Sequence, residues 1–150
     1  MLKKVISGGQ TGADQAALDV AIKLGIPHGG WIPKGRRTED GVLPDKYQLV
    51  EMPDSSYAKR TEKNVIAADG TLIISHGRLV GGSDYTRKMA LKHNRVWLHI
   101  DLTKIAAFEA SQRIASWLFR NSVEVLYVAG SRASTDPKIY NATMDILEGV

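Results

Sequence analysis

With 150 residues, of which 43% are hydrophobic and 24% charged, the chain has the composition of a globular protein, which argues against disorder. It contains no cysteine, which excludes disulfides, thiolate metal ligands and thiol nucleophiles, and it lacks an apolar run near the ~20 residues that span a bilayer. The net charge of +4 is mild, so it suits small anionic ligands and permits nucleic acid without demanding it. We expect one domain over residues 1–150, cytoplasmic and without a membrane partner.

The first predicted strand, Lys3–Ile6, is followed by apolar residues at helical spacing between Ala16 and Leu24. Between them lies the glycine-rich stretch Ser7–Gln15. Such a turn directs backbone N–H groups outward, and the helix start adds a partial positive charge, so the turn suits phosphate or another oxyanion. It matches neither the P-loop nor the dinucleotide fingerprint. The alternative is an ordinary tight turn with Thr11 or Asp14 as the N-cap.

A long irregular loop is predicted over residues 28–41, after a short strand entered through residues 25–27. A connection of this length in a compact domain is usually functional or mobile. Lys34, Arg36 and Arg37 make it the densest positive charge in the sequence, and Trp31 beside them could stack on a planar ring. A solvated charged loop is the alternative. Tyr47–Glu51 is predicted to be a short strand.

The second half of the chain continues to alternate helices and strands. A helix is predicted from Asp54–Ser56, with Arg60 and Asn64 as neighbours on its surface. Thr71–Ser75 reads as a strand buried on both faces, and the glycine-rich loop after it leads into a helix that begins near Ser83. The last predicted elements are a strand over Val96–Ile100, an amphipathic helix over Ile105–Phe119, a strand over Val123–Ala129 and a helix from about Pro137.

This alternation predicts a mostly parallel sheet with helices on both faces, the three-layer α/β/α Rossmann-like class. In such sheets, ligands bind beyond the carboxyl ends of the strands. Three glycine- or serine-bearing turns follow predicted strands, at Ser7–Gly12, Ser75–Thr86 and Gly130–Ser134. Because these turns should meet at one edge, the sequence predicts a pocket for a nucleotide-like or phosphorylated ligand.

Several of these motifs resemble those of the SLOG superfamily of Rossmann-like ligand-binding domains, which includes the DNA-processing protein A domain and the Lonely Guy phosphoribohydrolases. Val128–Ser134 resembles the superfamily's opening strand, Ile6–Ala17 its second strand, and Gly81–Thr86 its later phosphate-binding turn. The order is rotated here, as in the circularly permuted YpsA-like branch, the molybdenum carrier family. With Gly30–Gly41 and Arg60–Val65 included, the resemblance covers nearly the whole chain. It implies a permuted SLOG topology and molybdenum cofactor, a pterin bearing a phosphate, as cargo.

The chain departs from the phosphoribohydrolases at their glycine turn, which resembles Pro-Gly-Gly-x-Gly-Thr-x-x-Glu and carries a catalytic glutamate. Here Val80 precedes the glycine pair, Thr86 lies one residue further on, and Met89 stands where the acid would be. A methionine cannot move a proton or stabilise an oxocarbenium-like transition state. We therefore expect a non-catalytic protein. Asp14, Asp84 or Glu62 could substitute for the acid. A nucleotide N-glycoside hydrolase that uses Asp14 or Glu62 is therefore the alternative function, and a DNA-binding module is the second alternative.

The predicted function is a carrier or sensor of a nucleotide-like phosphorylated ligand, with no catalytic residue and no protein metal site. Without thiolates, a carrier of molybdenum cofactor would grip the phosphate and pterin rather than the metal. The residues expected to bind the ligand are Gly8, Gly9, Gln10, Thr11, Gly12, Asp14, Lys34, Gly35, Arg36, Arg60, Asn64, Gly81, Gly82, Ser83, Thr86, Gly130, Ser131 and Arg132.

These residues are assigned distinct roles in the predicted site. Arginine side chains suit bidentate contact with phosphate, and the amide of Asn64 and the hydroxyl of Thr86 would orient the ligand. The cations are Lys34, Arg36, Arg60 and Arg132. The backbone N–H groups that would cradle phosphate belong to Gly8, Gly9, Thr11, Gly12, Gly81, Gly82 and Ser83. We also expect a homo-oligomer, a dimer or tetramer, because a small sheet has edges to cover.

Overall fold

The structure, a computed structural model, describes residues 2–150. In chain order its strands are β1 (Lys4–Ile6), β2 (His28–Gly29), β3 (Trp31–Ile32), β4 (Arg37–Thr38), β5 (Gly41–Val42), β6 (Val50–Glu51), β7 (Gly70–Ser75), β8 (Val96–Asp101) and β9 (Val125–Gly130). Five of them form one parallel sheet in the order β2-β1-β9-β7-β8.

Helices cover both faces of this sheet. They are α1 (Ala13–Leu24), α2 (Tyr57–Ala67), α3 (Gly81–Lys92), α4 (Ala107–Arg120) and α5 (Ile139–Glu148). Helix α5 packs against α1 and α4 on one face, whereas α2 and α3 pack against each other on the other. The predicted three-layer α/β/α class with a parallel sheet is therefore confirmed. No helix among residues 2–150 is long and apolar enough to cross a membrane.

The two faces of the sheet contribute to two apolar cores. Successive side chains of a strand point to opposite faces, so Leu126 and Val128 of β9 join the core under α1, α4 and α5, while Tyr127 and Ala129 join the core under α2 and α3. Burial on both faces explains why β7 and β9 are almost uninterrupted apolar runs.

The last strand in sequence, β9, lies in the middle of the sheet between β1 and β7, as a circular permutation requires. The connection from β1 to β2 runs through α1 on one face of the sheet. The connection from β7 to β8 runs through α3 on the opposite face. Because all five strands are parallel, the turns that begin at Ser7, His76 and Ser131 start from the same edge. This edge contains the switch point at which open α/β sheets bind ligands.

Several element boundaries differ from the predictions. Helix α3 begins two residues before Ser83, and α5 begins two residues after Pro137. The N-cap of α1 is Gly12, with a φ of 84°, rather than Thr11 or Asp14. Thr11 and Asp14 cannot cap the helix because their side chains are engaged elsewhere, as described below.

The predicted irregular loop over residues 28–41 is more regular than expected. It contains β2, β3 and β4, and β4 pairs with β5 in a short antiparallel hairpin. Strand β3 pairs in parallel with β6. The predicted strand Tyr47–Glu51 is shorter than expected, because only its last two residues form β6. Ile32, Leu43 and Leu49 from this region form a third apolar cluster with Leu18 of α1. This cluster anchors the segment to the sheet edge that carries β2.

Candidate functional site

A cavity of about 460 Å³, with several polar and charged residues in its lining, lies at the carboxyl ends of the central strands. We call it the carboxyl-edge pocket. Its walls come from the β1–α1 turn, from α2, from the start of α3 and from the end of β9. Of the residues predicted to bind ligand, those that line it are Gln10, Asp14, Arg60, Gly81, Gly82, Ser83, Thr86, Gly130, Ser131 and Arg132.

The first turn of α3 presents backbone donors to this pocket. Its N-cap is Val80, and no side chain of residues 2–150 caps the helix. The N–H groups of Gly81, Gly82 and Ser83 precede the first helical hydrogen bond, which Asp84 donates to the carbonyl of Val80. A β-carbon added at Gly81 or Gly82 would meet open space. Free amide hydrogens together with the positive end of the helix dipole make this turn a suitable anion site.

Arg60, on α2, brings a buried positive charge to the pocket. The residue is 8% exposed, and its Nη1 lies 3.6 Å from Oδ2 of Asp14. Its Nε is buried and has no hydrogen-bond partner among residues 2–150. The ring of Tyr57 lies 5.6 Å from the guanidinium carbon. A buried cation is costly unless it is paired, and an anionic ligand in the pocket would add a partner to Asp14.

Asp14 lines the same pocket and is 6% exposed. Burial disfavours its charged form and raises the pKa of this carboxyl to about 6, while the positive charge of Arg60 and a hydrogen bond from the Gln10 N–H oppose the shift. Asp14 is therefore the group whose protonation adjusts the net charge of the pocket near neutral pH. Arg132, at the rim, is a further cation that lowers this pKa.

Tyrosines form the aromatic part of the lining, which the sequence analysis did not assign to the site. Tyr57 and Tyr85 come from α2 and α3, and the buried Tyr127 comes from β9. Burial raises the pKa of Tyr127 to about 12, so its hydroxyl stays protonated. Tyr57 could have been predicted from the sequence, because it lies one helical turn before Arg60 and therefore on the same face of the predicted helix.

The glycine turn between β1 and α1 uses its backbone donors internally. The N–H of Gly9 donates to Oγ of Ser7 at 3.2 Å, and the N–H of Thr11 donates to Oε1 of Gln10 at 3.0 Å. These two groups therefore do not form the predicted phosphate cradle. A β-carbon at Gly12 would overlap the carbonyl oxygen of Ser131, and one at Gly8 would overlap the guanidinium of Arg60. The glycines allow this turn to pack closely against its neighbours.

Glu39 joins the long segment to the ligand edge, a role that sequence reasoning missed. Its carboxylate accepts hydrogen bonds from the hydroxyl of Thr11, from the Ser134 N–H at 3.0 Å and from the Ser134 hydroxyl at 2.6 Å. The Glu39 N–H in turn donates to Oε1 of Gln10 at 2.9 Å. The hydrogen bonds from Ser134 and Thr11 lower the pKa of the Glu39 carboxyl. No local pattern in the sequence pointed to this partnership.

The basic residues predicted from the long loop lie outside the pocket lining. Arg36 donates to the backbone carbonyls of Leu43, Pro44, Tyr47 and Leu49, so its guanidinium organises the segment that follows β5. Lys34 and Gly35 are exposed.

Asn64, also predicted to orient ligand, instead pairs with the backbone of Trp31. It accepts from the Trp31 N–H at 2.8 Å and donates to the Trp31 carbonyl at 3.1 Å. The Trp31 ring is covered by the ammonium of Lys63 at 4.3 Å. Neither Asn64 nor Trp31 lines the carboxyl-edge pocket.

Met89, which stands in place of the phosphoribohydrolase acid, and Glu62, a candidate substitute for it, are also away from the pocket lining. Met89 packs against the apolar core under α2 and α3. Glu62 is bound by Nε2 of His93 at 2.7 Å and by Nζ of Lys92 at 3.1 Å. Among residues 2–150, no group of three or more histidine, aspartate and glutamate side chains could hold a metal ion.

A larger cavity of about 880 Å³ lies between α1, α4 and α5. Its lining is apolar, with residues such as Val20, Leu118 and Leu147, and Glu124 is its charged residue. It carries no cation to match a phosphate. The smaller carboxyl-edge pocket is therefore the better candidate for the ligand predicted from the sequence.

Comparisons with known proteins agree with this architecture. Residues 5–150 match the model of the "Circularly permutated YpsA SLOG family". The chain is also similar to a crystal structure described as "Putative molybdenum carrier protein" from Syntrophus aciditrophicus SB, with a TM-score of 0.97 and 57% sequence identity over 99% of this chain and 94% of that chain. No curated protein matches the chain.

Proposed function

Because the chain belongs to the circularly permutated YpsA SLOG family, we propose that it is a non-catalytic carrier or sensor that binds a nucleotide-like phosphorylated ligand in the carboxyl-edge pocket. The observation that carries this proposal is the buried guanidinium group of Arg60 in a cavity that the uncapped start of α3 also lines. Both features favour an anion, and Arg132 adds a third source of positive charge.

The cargo that we propose is molybdenum cofactor, in line with the carrier name of the similar protein from Syntrophus aciditrophicus SB. The donor set suits its organic part: amide hydrogens and arginines match the phosphate, and the rings of Tyr57 and Tyr85 match a planar pterin. The chain has no cysteine, so the protein would hold the phosphate and pterin and leave the metal to its own pterin ligands.

Thermal unfolding in the presence of candidate ligands tests the proposal. Molybdopterin, nucleoside monophosphates and phosphosugars would each be titrated against the purified protein. A ligand that binds the folded state at about a hundred times its dissociation constant should raise the free energy of unfolding by ~2.7 kcal/mol. The absence of any shift with all three classes would contradict the proposal.

A matched pair of arginine variants assigns any binding to the pocket. Arg132→Ala removes a cation from the pocket rim, whereas Arg120→Ala removes an exposed cation at the end of α4. We expect Arg132→Ala to weaken binding about tenfold, because a charged hydrogen bond is worth ~1.5–3 kcal/mol. Arg120→Ala should bind as the unaltered protein does. Equal losses in both would indicate nonspecific attraction.

A second candidate function is hydrolysis of a nucleotide N-glycosidic bond, and the raised pKa of Asp14 favours it. A carboxyl with a pKa of about 6 inside a ligand pocket is suited to general acid or base chemistry near neutral pH. The test incubates the protein with nucleoside monophosphates and measures free base. No release, or release that is unchanged in both Asp14→Asn and Glu62→Gln, would exclude this function.

The carrier that we propose is a cytoplasmic homo-oligomer, either a dimer or a tetramer. The cysteine-free sequence supports this location, because proteins of reducing compartments are folded without disulfides. Support for association is the exposure of large apolar side chains such as Phe108 and Phe119, at 75% and 86%. Light scattering of the purified protein across a concentration series would test it, and a monomer at every concentration would contradict it.

A further inference from the structure

A second polar cavity, of about 490 Å³, lies beside β8, the strand at one edge of the sheet. We call it the edge cavity. Its lining residues are Arg78, Leu79, Asp84, Arg87, Trp97, His99, Asp101, Lys104, Ile105 and Arg113. It shares no lining residue with the carboxyl-edge pocket, although both use α3. The two cavities are therefore separate candidate sites.

Positive charge dominates the edge cavity. Arg78, Arg87, Lys104 and Arg113 face two carboxylates, so the lining carries a net charge of about +2 when both acids are ionised. Asp101 is ionised, because hydrogen bonds from Thr103 and from the Gly77 N–H lower the pKa of its carboxyl to about 2. An anion entering this cavity would gain more from the cations than it would lose to the acids.

Two of these cations have no ion-pair partner within residues 2–150, namely Arg78 and Lys104. The other two are paired: Arg87 Nε lies 2.8 Å from Asp84, and Arg113 contacts Glu109 at 3.5 Å near the surface. Arg78 and Lys104 are also exposed, so an incoming ligand can reach them. They are the groups most available for a new anionic partner.

The floor of the cavity includes Trp97 and His99, which project from the same face of β8 and are half-buried. Burial lowers the pKa of His99, whose Nε2 lies 2.7 Å from the hydroxyl of Ser75. The histidine is therefore neutral at physiological pH and leaves the charge balance to the arginines and Lys104. Trp97 offers a planar ring next to the cations and a fluorescence reporter.

Protection of the sheet edge does not account for this cluster. Cations that block edge-to-edge pairing usually lie on the edge strand itself. Strand β8, Val96–Asp101, contains neither lysine nor arginine. The four cations come instead from the loop before α3, from α3, from the loop before α4 and from α4. Separate elements thus converge on one hollow.

We propose that the edge cavity is a second ligand site, which binds a small polyanion of the diphosphate or triphosphate class. A chain of two or more phosphates offers several anionic oxygens, so it can accept hydrogen bonds from more than one of the lining cations at once. Inorganic and nucleotide-borne ligands share this phosphate chain, and the experiment below distinguishes the two sources. This site does not depend on the function proposed for the carboxyl-edge pocket.

Calorimetric titration with sodium diphosphate and with ADP tests the site. The protein used carries Arg132→Ala, because this substitution lowers the ligand affinity of the carboxyl-edge pocket. In this background, Arg78→Ala combined with Lys104→Ala should reduce affinity for both probes by about tenfold or more. The control combines Lys3→Ala with Arg120→Ala, which removes the same charge from exposed positions outside both cavities. It should bind each probe as the Arg132→Ala background does.

Each outcome decides for or against the proposal. Loss in the cavity variant alone supports it, whereas no binding to the background protein, equal losses in both double variants, or undiminished binding in the cavity variant would overturn it. A fluorescence change that disappears in Trp97→Phe would place the bound probe against the cavity floor. Tighter binding of ADP than of diphosphate would identify a nucleotide-borne ligand, and equal binding an inorganic one.

Discussion

The guanidinium of Arg60 lies against Gly8, in the space that a β-carbon at residue 8 would occupy. This contact holds a buried arginine beside Asp14 at the carboxyl edge of the sheet. The glycine therefore acts on the pocket through the position of a side chain more than fifty residues away in sequence, rather than through its own N–H.

Gly8→Ala should displace Arg60 from Asp14. We expect the free energy of unfolding to fall by ~1–3 kcal/mol, because a methyl group is inserted into a filled site and a buried ion pair is disturbed. Urea unfolding measures the change. Gly82→Ala is the matched control, since its β-carbon meets open space and alanine is favoured over glycine in a helix. Equal stability of Gly8→Ala and the unaltered protein would refute the packing role of Gly8.

Stability should depend on pH through Asp14. Its folded-state pKa of about 6 lies above the ordinary value of 3.8, so between these values the folded protein binds more protons than the unfolded chain. The free energy of unfolding should therefore fall as pH rises from 4 to 6, by up to ~3 kcal/mol, and level off above. Urea unfolding of the unaltered protein and of Asp14→Asn at pH 4.5, 5.5 and 7 isolates this contribution. Identical slopes in the two proteins would show that Asp14 titrates normally.

Arg36 should prove important for stability rather than for ligand affinity. Arg36→Ala leaves four backbone carbonyls between residues 43 and 49 without this donor, so we expect a loss of ~1–3 kcal/mol in urea unfolding. Arg37→Ala, an exposed neighbour, should change stability by less than ~0.5 kcal/mol. Ligand affinity should be unchanged in both. Lost affinity at full stability in Arg36→Ala would instead support the ligand role predicted from the sequence.

Glu39→Ala should loosen the junction between the β4–β5 hairpin and the turn after β9. The Ser134 N–H loses its acceptor, so its amide hydrogen should exchange faster with solvent. Hydrogen exchange followed by NMR measures this effect residue by residue. Asp40→Ala is the control, because Asp40 is an exposed acid in the same hairpin turn whose side chain accepts no hydrogen bond from residues 2–150. Similar exchange at Ser134 in the two variants would contradict the role of Glu39.

The sequence by itself determined the class of fold and the edge at which a ligand would bind. The run Thr71–Ser75 could be recognised as a strand buried on both faces because it lacks the alternation of polar and apolar residues that a half-exposed strand shows. Once the strands are parallel, the turns that follow them must share an edge, and all of the site residues predicted from Gly81–Thr86 and Gly130–Arg132 do line the pocket there. These inferences depend on local patterns and on the geometry of parallel strands alone.

Only the tertiary structure decided which donors remain free for a ligand. Gly9 and Gly82 are both glycines of strand-to-helix turns, and Arg36 and Arg60 are both arginines, so the sequence does not distinguish the members of each pair. In the structure, Gly9 and Arg36 donate their hydrogen bonds to groups within the protein. The reason is that hydrogen-bond availability depends on partners brought together by folding, such as Glu39 with Ser134 across the ligand edge. The chain pattern shows where donors occur, whereas the packing of distant segments sets which of them are already satisfied.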